Sequence, residues 1–516
     1  MIAFPLTLLL AGLPTMGAAE IVQFTVRTVD EYTKPISARV LVRDDLGRSW
    51  LPPVATTVNI GPDTWFACDG AARLDVPPGR YHVTVERGPE YVPATGSLTL
   101  AGNTSREFQL HQWIDLRALG YRSGENHLHL PRGALESMMR AEDLGFGSSL
   151  QWWNGARLPV PDLAPRAKNL TLFDAEVENA WGAVYCVGLS KPMALPWNPA
   201  RANLAFVEAA RADGALICYQ GGWSREALVD ALLGRVDVVN VGDNLFHRHK
   251  FMPRARYANL LAVPGLSDYP DTADGMLALT TEAYYRLLNC GLRLAAGTGS
   301  ATGVKSSPAG YNRSYVRVDG NATVREFLEA WRQGRNFVTN GPMLFLTADG
   351  RHEPGDTIKF PKSGGAVQVR VQVQFDQPLR SLAIVVNGKT IATTAQGELE
   401  VRVPVTEGSW IAAVATAEDH TISDAELARY AQQSPLGGET PTRLRFAHTS
   451  PIYVTVGGGG ARVEAAIDEA RRMLDAFEVF ARKTAAPEFQ PEILQAVADA
   501  RKRLGWVEQP QSGFSR

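Results

Sequence analysis

Hydrophobic periodicity changes character along this chain, and that change constrains the fold more than any single motif. At residues 21–26, 38–42, 72–76, 81–85 and 97–100, strand-sized alternating runs are separated by turn residues such as Pro77-Pro78-Gly79. Period two in short runs predicts a β-sandwich over 20–113. From 114 to 340, strand-like runs (216–219, 236–241, 292–296) alternate with helix-like ones (135–144, 203–212, 282–289, 324–333). That order predicts an α/β layered or barrel domain of catalytic size. Thr339-Asn340-Gly341-Pro342 is a strong turn that ends it. Alternation returns at 367–374, 382–386 and 399–403, which predicts a second β-sandwich over 341–456. The glycine run 457–460 reads as a flexible joint. Beyond it, Val463, Ile467, Ala470, Leu474 and Phe477 share one helix face, and Ile493, Val497 and Leu504 mark a second helix. A helical hairpin packed on the body is expected over 457–516. The fold class is therefore multidomain α/β plus all-β.

The remaining global features narrow the function. A chain of 516 residues exceeds one hydrophobic core. Its 52 basic residues nearly cancel 54 acidic ones, with no long basic stripe, which argues against nucleic acid as a partner. Residues 2–13 are uncharged and mostly apolar, and Gly17, Ala18 and Ala19 precede Glu20. This is a secretory-signal pattern with cleavage expected after Ala19, although no Lys or Arg follows Met1 closely. The run is too short to span a membrane, and no later stretch is long enough. Cys68, Cys186, Cys218 and Cys290 have no metal-ligand spacing and are expected to be small buried apolar residues, with one pair among the central three able to oxidise.

The sharpest local feature is Gly124-Glu125-Asn126-His127-Leu128-His129, expected at the end of the first strand of the α/β region. Residues two apart on a strand face the same way, so both imidazoles can grip one divalent ion. By itself, a His-x-His pair is more often plain strand surface than a ligand pair.

With its surroundings, the segment resembles the opening Gly-x-x-His-x-His strand of the polymerase-and-histidinol-phosphatase (PHP) superfamily. Within it the chain is most similar to the carbaryl-hydrolase-type CehA/McbA family. Ala141-Glu142-Asp143-Leu144-Gly145 and Trp152-Trp153-Asn154 fit that family's next helix and strand. Segments 285–294, 308–313 and 334–342 resemble its late signatures. The likeness covers roughly 119–342 and implies a distorted β/α barrel with metal at one mouth. Separately, the 75–85 stretch resembles the hairpin of carboxypeptidase-regulatory-like, transthyretin-type sandwiches.

Carried over position by position, the resemblance implies His127 and His129 as ligands, with Glu176 as first choice for a strand-end carboxylate and Glu178 as second. It also implies His247 as a further ligand, reaching in from two residues past the family's usual slot. Glu178 could alternatively act as general base, and Arg313 could steady an anionic substrate group. Trp152 and Trp153 are candidate pocket walls, at least one of them serving the core. The ion would be zinc by first choice, with manganese or iron as alternatives. The chain departs from the superfamily at Tyr219-Gln220-Gly221-Gly222-Trp223, where a His-Pro segment is usual. It departs again at Gly297-Thr298-Gly299-Ser300, where Gly-x-Asp-x-His is usual. A single ion in a three-ligand, open-position site is what remains. Two functions stay open: an exported metal-dependent hydrolase of a small ester, amide, carbamate or phosphoester, or a binding or surface protein that kept the fold without the chemistry.

Overall fold

The computed structural model describes residues 20–157, 169–171, 173–254, 268–431 and 440–506. The expected signal peptide lies outside these residues. The protein is mixed α/β and strongly β-rich, built from several sheets, one of them a half-barrel.

In the N-terminal region, strands Val22–Val29, Ala71–Val76 and Thr104–Gln109 form one small sheet. Ser37–Asp44, Asp63–Asp69, Gly79–Glu86 and Ala94–Leu100 belong to a second. The alternation that predicted these strands is explained by one core between the sheets, with Phe24, Val26 and Leu74 meeting Val40, Phe66 and Val83. This layer is tied to the rest by buried charge. The Arg39 guanidinium pairs with Glu86 at 2.5 Å and also with Glu142, while Arg248 pairs with the same Glu86.

The half-barrel contains Leu150–Trp153, Asp174–Asn179, Gly182–Val187, Leu216–Tyr219, Val238–Asn240 and Ala295–Gly297 in spatial order. Pairing is parallel except around Gly182–Val187, which runs antiparallel to both neighbours. Helices Leu204–Ala212 and Val324–Arg332 match their predicted runs within a residue, whereas Arg132–Ala141 sits three residues before the expected 135–144, Ala273–Asn289 begins nine residues before the expected 282–289, and the short helix Ala227–Leu232 was not expected. Val324–Arg332 starts at a capping box, with Thr323 and Glu326 satisfying each other's backbone N–H groups.

The turn at Asn340 is not a break in the structure. Strand Asn336–Thr339 pairs with Leu444–Thr449, so a ten-stranded sheet runs from Tyr121–Glu125 through Arg313–Arg317 into the C-terminal region. Met343–Ala348, Gly365–Gln374 and Glu398–Val405 form a facing sheet, and the core between them takes Tyr121, Tyr315 and Phe337 from the α/β region.

The glycine run also differs from expectation. Val456 and Gly459 exchange backbone hydrogen bonds at 3.0 Å, and Gly457 and Gly458 have φ of 59° and 89°. Two consecutive left-handed residues make a tight hairpin turn in which glycine is unstrained, and the joint is held rather than loose. Helices Glu464–Thr484 and Gln490–Trp506 then return to the body, burying Ile467, Leu474, Phe477 and Val497 in the same core as Trp181 and Trp223. All four cysteines are free and buried.

Candidate metal centre

His127 and His129 lie just beyond strand Tyr121–Glu125 rather than within it. Their alternation survives because Leu128 forms a bridge with Thr302 and the His129 N–H donates to the Thr302 carbonyl at 2.9 Å. Both rings therefore turn to one side, toward the half-barrel. There the register aligns three residues across adjacent strands, with Trp153 opposite Glu176 and Glu176 opposite Tyr185. Directly paired residues present side chains on the same face. The ring centroid of Tyr185 sits 4.3 Å from that of His127, and Trp153 sits 5.0 Å from His129.

These contacts bring three donor atoms together. The Nε2 atoms of His127 and His129 are 3.1 Å apart. Glu176 Oε2 is 3.1 Å from His129 Nε2, and Oε1 is 3.7 Å from His127 Nε2. Bonds of 2.0–2.1 Å in a tetrahedral zinc site put ligand atoms about 3.3–3.4 Å apart, close to this spacing. His127 and Glu176 are each 2% exposed, and apart from its 3.1 Å approach to His129 Nε2, Glu176 Oε2 has no hydrogen-bond donor among the described residues. A buried carboxylate oxygen left without a donor is costly unless something else satisfies it. Burial opposes charge on both residues. The carboxylates of Asp243 and Glu176 nevertheless raise the His127 pKa, and the two histidines hold Glu176 below its ordinary range. The donor set thus fits one divalent ion.

Glu178 follows on the same strand face and stays outside the trio. It accepts a hydrogen bond from Trp153 Nε1 at 3.2 Å, and burial, reinforced by the neighbouring Glu176, raises its pKa. Trp153 walls the site, whereas Trp152 is buried in the core.

Two expected site residues are placed elsewhere. His247 is buried, but its Nε2 lies 3.1 Å from the Asn244 carbonyl, and it is not grouped with the three donors. The hydrogen-bonded turn at 243–246 directs it to that carbonyl. Asn312 and Arg313 diverge: Asn312 Nδ2 donates to the carbonyls of Asp243, Phe246 and Gly299, beside the site. Arg313 donates instead to the carbonyls of Gly310 and Glu142.

Asp243 was not singled out by the sequence. It is fully buried, with Oδ2 3.4 Å from His127 Nδ1 and accepting from the Tyr185 hydroxyl at 3.2 Å. Its Oδ1 accepts from Asn240 at 2.7 Å. The available signal was its place directly after a buried strand, behind Gly242; both residues have positive φ, 42° and 81°. The departure at 297–300 has a structural use. A Cβ on Gly299 would stand 2.4 Å from the His127 Cβ, and the Ser300 and Gly310 N–H groups both bond Glu125, whose pKa burial pushes up to about 8.

No protein-family model matches the chain, and no curated protein does. Among solved structures, a β-glucuronidase of Parabacteroides merdae aligns at 13% identity and a TM-score of 0.16, over 83% of this chain and 60% of that one. β-Glucuronidase 3 of Bacteroides uniformis aligns at 12% and 0.18, over 85% and 63%. The chain thus spans about 60% of the length of these enzymes, and overlap this low supports no inference about fold or activity.

Proposed function

We propose that this protein is an exported metal-dependent hydrolase of the PHP type, acting on an ester, amide, carbamate or phosphoester bond of a small molecule. The observation that carries the reading is the spacing of His127 Nε2, His129 Nε2 and the Glu176 carboxylate. The resemblance of the motifs within 119–342 to CehA/McbA proteins and the secretory pattern at 1–19, both expectations from the sequence, are in keeping with the same reading. His127, His129 and Glu176 would hold the divalent ion, which would supply Lewis acidity and an activated water at neutral pH. The chain's own groups do the rest. Asp243 and Tyr185 fix the His127 ring from behind and beside, as carboxylates behind ligating histidines do. Glu178 faces the same side as Glu176 and is positioned to take and return a proton. Trp153 shields the His129 edge from water.

Metal analysis of the purified full chain tests this. Near-stoichiometric zinc, manganese or iron is expected, falling to background in His129→Ala and Glu176→Gln with the circular dichroism spectrum retained. Hydrolysis of model aryl esters or phosphoesters should fall in parallel. Protein free of metal after expression in metal-replete medium would sink the reading.

A further inference from the structure

A cleft of about 130 Å³ lies where the N-terminal layer, the central region and the C-terminal sheet meet, and none of the three metal-site donors lines it. Its walls carry buried polar atoms without hydrogen-bond partners: Arg39 Nη1, Glu86 Oε1, the Tyr311 hydroxyl, Arg313 Nη1 and Asn340 Nδ2. Four of these atoms donate and one accepts.

Four arginines (Arg39, Arg248, Arg313 and Arg445) and four carboxylates (Glu86, Glu142, Asp376 and Asp419) line the cleft, and Arg313 stands apart from the ion pairs among them. Arg39 and Arg248 share Glu86, Arg39 also meets Glu142, and Arg445 meets Asp419 at 2.7 Å. Glu90 is occupied by the Leu116 N–H and the Tyr315 hydroxyl, each at 3.0 Å. Arg313 is 1% exposed, and among the described residues no carboxylate forms an ion pair with it. Its Nε and Nη2 donate to the carbonyls of Gly310 and Glu142, at 2.5 and 3.1 Å, and Glu90 and the Tyr315 hydroxyl lie within its electrostatic reach. Water can satisfy Nη1; an anion there would satisfy it and also give the buried guanidinium a charge-assisted partner of its own. Glu86, which also lines the cleft, leaves Oε1 without a donor among the described residues. Burial works against its charge, yet Arg248 and Arg39 hold it ionised, down to about 2.

We infer that this cleft is a binding site for a small hydroxycarboxylate, whose carboxylate is held by Arg313, Tyr311 and Asn340 and whose hydroxyl donates to Glu86. The site is independent of metal.

Calorimetric titration of the chelator-treated full chain with glycolate, and in parallel with glycolamide and inorganic phosphate, tests it. Glycolate should bind saturably, glycolamide should not, and phosphate should bind more weakly because its greater negative charge meets the Glu86 carboxylate and its tetrahedral oxygens sit at a different spacing. Arg313 clamps two backbone carbonyls, so its replacement risks the fold, and two milder variants are better. Tyr311→Phe removes one donor. Asn340→Asp keeps the oxygen that caps the Phe446 N–H at 2.8 Å but replaces the free amide with an anionic oxygen. Each should lose about tenfold or more in glycolate affinity, the worth of one charge-assisted hydrogen bond, with metal content unchanged. Equal binding by Asn340→Asp, equal binding of glycolamide, tighter binding of phosphate, or no saturable glycolate binding would each overturn the assignment.

Discussion

Oδ2 of Asp243 lies 3.4 Å from Nδ1 of His127, on the side of the ring away from Glu176. That carboxylate is anchored by Asn240 and Tyr185, so it orients the imidazole and raises its basicity without joining the donor set. Asp243→Asn keeps the shape, and asparagine tolerates the positive φ at this position. Metal affinity should fall about 10–100-fold, as for other partners of ligating histidines. Competition with a chromogenic chelator measures it; an unchanged affinity would show that Asp243 serves the turn alone.

Gly299 gives a steric test of the same ring. An added Cβ would meet the His127 Cβ at 2.4 Å and Asp243 Oδ1 at 3.1 Å, and neither is the free end of a flexible chain. Gly299→Ala should therefore displace His127 and lower metal stoichiometry, while the far-UV spectrum stays native. Full metal occupancy in that variant would contradict the packing described.

Metal binding should also appear as stability. A ligand that binds only the folded state stabilises it by about 2.7 kcal/mol when free metal is a hundredfold above Kd. Chelation should lower the apparent Tm of the wild type and leave His127→Ala and His129→Ala unmoved. A chelator effect of the same size in these variants would place the stabilising ion elsewhere.

His448 supplies a pH dependence remote from this site. Its Nδ1 donates to the Thr449 carbonyl at 2.7 Å, its Nε2 accepts from the Tyr285 hydroxyl at 2.8 Å, and the Tyr284 ring packs at 5.9 Å. Burial lowers its pKa from 6.5 to about 4, which means the folded state prefers the neutral ring. Between those values the unfolded chain binds the extra proton, so stability is full above 6.5 and lost as pH falls toward 4. One such group contributes about 1.4 kcal/mol per pH unit over that window. Denaturant midpoints at pH 7, 6 and 5 should show the loss, and His448→Gln should reduce the slope.

Much of this protein was legible in local pattern. Period two in 367–374 became the strand Gly365–Gln374, and the run of buried apolar residues 216–219 became Leu216–Tyr219 with the same limits. His127 and His129 were visible as a candidate pair, and Glu176 was implied only by the family resemblance; the structure brings the three together from beyond strand Tyr121–Glu125 and from within Asp174–Asn179. Local pattern could not show that the sheet crosses Asn340, since the paired residues Val338 and His448 stand 110 positions apart in the chain. Nor could it reveal Asp243 behind His127, or turn Arg313 away from the metal donors toward the cleft. Periodicity determines which residues face inward; which inward-facing residues meet depends on sheet register and on the packing of layers far apart in the chain. That is why two histidines two residues apart could be picked out of the sequence as candidates, while the carboxylate behind them and the surroundings of the Arg313 guanidinium emerged only from the tertiary structure.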